Sequence, residues 1–158
     1  MIHTAWKLFF AQAAIMLPAF LVSVSFHEFS HALTAYLLGD DTAKRHGRLT
    51  LNPIAHIDFM GLLFLLLFRI GWANPVPIDT RNFKYPRLFD ILTALAGPLS
   101  NFILAIVCFT MLKHFPAAAF SPAVGVTLMQ ILEATGYVNI MLGVFNVLPI
   151  PPLDGSHV

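Results

Sequence analysis

Apolar runs long enough to cross a lipid bilayer constrain this chain more than any other feature. Residues 8–38, 88–112 and 124–148 are each dominated by Leu, Ile, Val, Phe and Ala. About 20 such residues cross the hydrocarbon core, so each run is a candidate transmembrane helix. A fourth run, residues 59–70, is shorter. Stretches of about 10–14 apolar residues are more often re-entrant or interfacial than spanning. With 58% hydrophobic and 11% charged residues, the chain has too few charges for a water-facing surface, where about a quarter of residues are charged. One membrane-embedded domain over residues 1–158 is expected, with the lipid bilayer as its surroundings. A formal net charge of +1 gives no reason to expect a nucleic-acid partner.

Punctuation and charge set the topology. Pro18 is placed to kink the first run, and Gly39 with Asp40 and Asp41 ends it. Pro149, Pro151 and Pro152 end the last. Lys44, Arg45 and Arg48 follow the first run, and Arg81, Lys84 and Arg87 precede the third. Basic loops favour the cytoplasmic face. Both can lie there only if residues 59–70 return to the side they left. The first span then runs inward, the third outward and the fourth inward, with Lys7 and Lys113 as outer-side exceptions. Between the first two runs, KRHGRLTLN (residues 44–52) alternates Leu49, Thr50 and Leu51, which predicts a small membrane-surface β element.

Chemistry concentrates in the first run, where residues 27–31 read His27-Glu28-Phe29-Ser30-His31. Positions i and i+4 share a helix face, so both imidazoles reach one metal ion. In this HExxH arrangement two histidines bind zinc and the glutamate is the general base. Ionisable groups inside a spanning helix are costly and default to function. Zinc in catalytic sites takes three protein ligands and keeps a position for water. His27 lies on the order of 10–16 Å from the inner helix end at 1.5 Å per residue, so the third ligand must come from the cytoplasmic half. Asp154, His56 and Asp58 all qualify. His56 reads more simply as a turn cap. Gly97-Pro98 and Asn101 read as helix-packing residues, with a hydrogen bond from Asn101 near the site an equal alternative.

His27–His31 on an apolar helix, with Phe145-Asn146-Val147-Leu148-Pro149-Ile150-Pro151-Pro152-Leu153-Asp154-Gly155 downstream, resembles the site-2 protease family of intramembrane metalloproteases, in its compact form without a PDZ domain. Three further segments match in order: residues 47–58, GRLTLNPIAHID; residues 72–77, WANPVP; and residues 96–101, AGPLSN. The resemblance implies an all-α polytopic fold with a three-helix catalytic core bearing the zinc, Gly-Pro and Asp-Gly motifs. It implies one zinc ion on His27, His31 and Asp154, Glu28 as catalytic base, and Asn146 as a transition-state group. It ranks Asp154 above the neighbouring His157 as ligand. It further implies a transmembrane-helix protein substrate and an active site facing the cytoplasm, in a plasma or inner membrane. Family chains continue into another apolar helix after the Asp-Gly motif, so a C-terminal truncation is expected.

Three rivals remain at the level of sequence. A non-catalytic metal-binding membrane protein explains the histidines and Asp154 but gives Glu28 no task. A di-iron membrane oxidase needs more histidine boxes than the single pair here. An inactive relative acting as a binding scaffold is opposed by the intact ligand set but kept open by the expected C-terminal truncation.

Overall fold

The computed structural model describes residues 2–68, 71–151 and 153–157, with the side chains of residues 2–5 and 157 outside that description. Three long helices form the body: α1 (Ile2–Leu37), α4 (Pro86–Lys113) and α5 (Pro122–Val147). Between α1 and α4 lie the single-turn α2 (Thr42–Arg45) and the ten-residue α3 (Phe59–Phe68). Helices α4 and α5 each begin at a proline, whose fixed φ and missing N–H suit the first helical position. Three helical segments, Trp6–Leu37, Pro86–Lys113 and Pro122–Val147, are long and apolar enough to span a bilayer. The chain is a multi-pass membrane protein with an all-α core.

The three long helices pack side by side in alternating direction. Along the α1–α4 seam His31 meets Thr93 and His27 meets Asn101, so the numbering falls on one helix as it rises on the other. Along the α4–α5 seam the ring of Phe109 sits against Gly136 and that of Phe102 against Gly143, again antiparallel. Lipid is as apolar as leucine, so helices in a membrane associate through close packing and polar contacts rather than hydrophobic expulsion. The buried residues fit that rule. Ser23, Thr93, Asn101, Thr135 and Asn139 are all buried between helices, while large aliphatic side chains such as Leu99, Ile103 and Ile106 face outward.

Helix α3 is too short to cross, at about 15 Å for ten residues. Its two flanks are tied together by an antiparallel bridge between Ile57 and Ala73 and by Asn74 N–H donating to the His56 carbonyl at 2.9 Å. The segment therefore leaves and returns at one place, as its length predicts. Gly61 permits this: a Cβ there would lie 2.2 Å from the Trp72 carbonyl oxygen. The side chains of Phe20, Val24 and Leu65 form the apolar contact between α1 and α3. Residues 69–70, the end of the short run read from sequence, lie outside the described residues.

The β element predicted over residues 44–52 is not formed; among the described residues there is no strand. Residues 42–45 coil into α2 instead, and Gly47 turns the chain at φ 68°, a conformation that favours glycine. The backbone beyond is committed to local partners. Thr50 N–H donates to the Arg48 carbonyl at 2.9 Å, and the Thr50 carbonyl accepts from His56 Nε2 at 2.8 Å. Arg48 turns inward to the carbonyls of Asn74 and Pro75. The Leu-Thr-Leu alternation thus has no ladder to join.

Candidate metal centre

His27, Glu28 and His31 sit on α1 ten to six residues before its end, each no more than 8% exposed. The 3.6-residue period puts both imidazoles on the face turned to α4. There Gly97 makes room, since a Cβ at that position would lie 2.3 Å from His31 Nε2 and 2.7 Å from His27 Cε1. The two Nε2 atoms are 3.0 Å apart.

Asp154 reaches this pair from the other end of the chain. Helix α5 stops at Val147, Leu148 N–H closes the last turn on the Phe145 carbonyl at 3.1 Å, and Ile150 N–H turns back to the Leu148 carbonyl at 2.8 Å. A short 3-10 turn, Asp154–His157, then lies against the bundle. Gly155 is pressed on the end of α5, where a Cβ would meet the Val147 carbonyl oxygen at 2.3 Å. Asp154 Oδ2 thereby comes 3.0 Å from His27 Nε2 and 3.3 Å from His31 Nε2.

The donor set fits a metal ion. One ligand atom each from His27, His31 and Asp154 lies within 4.8 Å of the others. Asp154 Oδ2 is buried and makes no hydrogen bond, a costly state for a carboxylate oxygen unless a cation completes it. The far nitrogen of each imidazole is already engaged, His31 Nδ1 with the Thr93 carbonyl at 2.7 Å and His27 Nδ1 with Asn101 Oδ1 at 2.6 Å. Such contacts orient metal-binding imidazoles and leave Nε2 to the metal.

Glu28 is not one of the three converging ligands. Its Oε2 accepts the Val76 backbone N–H at 3.0 Å. Val76 stands between Pro75 and Pro77, so it carries the one N–H of that tripeptide. Its side chain packs with Ala32 and Ala43, which pins the loop beside the carboxylate. The role of this loop is invisible in the sequence, because the partner of Glu28 is a main-chain atom.

The other residues singled out from sequence fall as follows. His56 is fully buried and bonded to the Thr50 carbonyl, tying off a turn as its simpler reading holds. Asp58 caps α3, accepting from Gly61 N–H at 2.7 Å. Neither joins the metal cluster. Asn146 is half-buried near the end of α5, and its Nδ2 donates to the Leu142 carbonyl of its own helix at 3.0 Å, which directs its amide to its own helix rather than to the cluster. Pro152 and the side chain of His157 lie outside the described residues. Gly97 and Asn101 do more than pack helices, since both touch the imidazoles.

The profile of peptidase family M50 matches residues 114–158. The chain is 45% identical over 140 residues to "Putative zinc metalloprotease YwhC" of Bacillus subtilis (strain 168), covering 87% of this chain and 64% of that protein. It is 34% identical over 161 residues to "Putative zinc metalloprotease Rip2" of Mycobacterium tuberculosis (strain H37Rv), covering 97% of this chain and 59% of the relative. With "Zinc metalloprotease MJ0392" of Methanocaldococcus jannaschii it shares 25% identity over 145 residues, 92% of this chain and 33% of the relative. The chain spans less than two thirds of the length of each of these relatives. No solved structure matches it.

Proposed function

We propose that the chain is a member of peptidase family M50 and an intramembrane zinc endopeptidase, cutting peptide bonds within or near transmembrane helices of protein substrates. The observation that carries this reading is the convergence of His27, His31 and Asp154 with Glu28 held alongside. Zinc is the ion of choice because two imidazoles and one carboxylate leave a fourth tetrahedral position open, and because the relatives above are named for zinc. Bound there, it would polarise the scissile carbonyl and make a water nucleophilic near neutral pH.

The remaining steps belong to the protein. Glu28 accepts the proton of the attacking water and passes it to the leaving amine. With Oε2 fixed by the Val76 N–H, Oε1 is the oxygen left to do so. Asn146 would need to rotate off the Leu142 carbonyl to stabilise the oxyanion. A transmembrane substrate carries amides paired along its own helix, so it must unwind locally before attack. The basic loops support a cytoplasmic placement of the metal-bearing end, and a plasma or inner membrane is the setting proposed for it. A metal-binding protein without catalysis would not need a glutamate positioned next to the ligands yet outside the ligand set.

The test is cleavage of a panel of single-span helical substrates by purified protein in detergent, comparing the unaltered chain with Glu28→Gln at matched zinc content. Cleavage should fall by at least about 10²–10⁴-fold in the variant, with zinc retained. Equal cleavage by both would remove Glu28 from the role of base. Zinc bound by both without cleavage by either would favour a metal-binding scaffold.

A further inference from the structure

The contact between His27 and Asn101 is the last link of a longer chain of hydrogen bonds that crosses all three long helices. Asn101 Nδ2 donates to Asn139 Oδ1 at 2.7 Å and to the Ser23 carbonyl at 3.3 Å. Asn139 Nδ2 donates to Ser23 Oγ at 2.7 Å and to the Thr135 carbonyl at 2.8 Å. The Ser23 hydroxyl donates to the Ala19 carbonyl at 2.7 Å. Ser23, Asn101 and Asn139 are each 0% exposed. No water is needed to complete the chain.

This chain has a direction. A main-chain carbonyl can only accept. The Thr135 carbonyl therefore requires the NH₂ of Asn139 to face it. The hydroxyl of Ser23, having spent its proton on the Ala19 carbonyl, also accepts from that NH₂. Asn139 Oδ1 is then forced toward Asn101, which must answer with its own NH₂. Asn101 in turn presents Oδ1 to His27, and an acceptor oxygen demands N–H at Nδ1. His27 is left with a bare lone pair at Nε2, the atom that faces Asp154 and His31. His31 obtains the same tautomer in one step, from the Thr93 carbonyl. His27 has a side-chain amide as its neighbour, and an amide can be turned either way; besides Asn139, only the longer contact to the Ser23 carbonyl, at 3.3 Å, restrains it. Reversed, Asn101 would offer NH₂ to Nδ1 and favour the tautomer that carries its proton on Nε2, where the metal must bind.

We propose that Asn139, with Ser23 behind it, is a positioning residue for the metal centre: it fixes the orientation of the Asn101 amide, and through it the tautomer of His27, without touching either the metal or its ligands. The inference rests on the proposed zinc site but is separable from it.

The experiment measures zinc affinity by chelator competition on the purified chain in detergent, for Asn139→Leu in two backgrounds. In the natural background the near-isosteric leucine removes the shorter of the two contacts that orient the Asn101 amide, leaving only the 3.3 Å contact to the Ser23 carbonyl, and zinc should bind about 10–100-fold more weakly, the range found when partners behind a metal ligand are lost. In an Asn101→Asp background the group at 101 is a carboxylate, which accepts from either oxygen and has no wrong orientation. There, Asn139→Leu should not weaken zinc binding below what Asn101→Asp alone gives, since it takes away only an oxygen, Asn139 Oδ1, that faces the new carboxylate. An equal loss in both backgrounds would show that Asn139 merely packs the helices, and no loss in the natural background would show that Asn101 orients itself; either result overturns the proposal. Asn139→Ala, which adds no bulk between α4 and α5, asks the same question if leucine prevents folding. Failure of the unaltered chain to bind zinc would instead overturn the metal centre and the relay with it, whereas zinc binding with an additive cross sinks the relay alone.

Discussion

Gly97 shows how little space the metal centre has at the level of single residues. Adding one methyl group there would place a carbon 2.3 Å from His31 Nε2 and 2.6 Å from His31 Cε1, well inside van der Waals contact. The backbone of α4 cannot easily retreat, because the Thr93 carbonyl and Asn101 hold both imidazoles from the same helix. Gly97→Ala should therefore push His31 off the shared point. We expect zinc affinity to fall by at least about tenfold, in line with other disturbances of ligand orientation, and stability to drop by about 1–3 kcal/mol from overpacking. Chelator competition and thermal unfolding of the metal-free protein read the two effects separately. Full zinc affinity in the variant would mean that the histidines adapt and that Gly97 serves packing alone.

Among the elements, the junction after α1 depends on Asp40. This residue is fully buried, and its carboxylate gathers Thr42 N–H at 3.0 Å, Thr42 Oγ1 at 2.5 Å, Asp79 N–H at 2.8 Å and Asn82 Nδ2 at 2.7 Å. It thus ties the end of α1 to α2 and to the loop that leads into α4. Burial alone would raise its pKa, but these donors prevail and lower it. A carboxylate with a lowered folded pKa adds stability in full above its unfolded value, about 3.9, and loses it as the pH falls through the folded value. Asp40→Ala should cost on the order of 3 kcal/mol at neutral pH, since hydrogen bonds to a charge are lost and buried donors are stranded. Thermal unfolding from pH 7 down to pH 3 should show the difference from the natural chain shrinking at the acid end; a constant difference would assign the effect to packing. Asp40 is legible in the sequence only as part of a helix stop, because the partners that make it a junction, Asp79 and Asn82, lie some forty residues away. The long helices were legible from apolar length, which the bilayer sets directly. The β element was not, because the alternation at Leu49-Thr50-Leu51 says nothing about whether a partner strand exists. His27 and His31 announced themselves by i, i+4 spacing, and Asp154 came through resemblance. Asn139 gave no local sign, as a lone asparagine in an apolar helix differs from helix-packing glue only by what it meets in space.

For the whole molecule, the antiparallel packing of α1, α4 and α5 fixes which loops share a face. The C-terminal end of α1 and the N-terminal end of α4 meet through Asp40, Asp79 and Asn82, because α3 returns to the place it left. Lys44, Arg45, Arg48, Arg81, Lys84 and Arg87 consequently gather at one end, while Lys7 and Lys113 lie toward the other. An imbalance of that size favours the cytoplasm for the richer end. Asp154 enters the bundle from the same end, so the metal centre would draw its water from the cytoplasmic side. The chain contains a single cysteine, Cys108, so labelling is straightforward in a Cys108→Ala background. Single cysteines at His46, Lys84 and Ala118 probe the loop after α1, the loop before α4 and the turn between α4 and α5. In intact cells a membrane-impermeant maleimide should modify position 118 alone, and permeabilisation should expose 46 and 84 together. Labelling of 46 and 84 from opposite sides would mean that α3 crosses the membrane, which would contradict the bridge between Ile57 and Ala73. Labelling of 46 and 84 from outside, with 118 protected, would keep the fold and invert it, turning the proposed active site away from the cytoplasm.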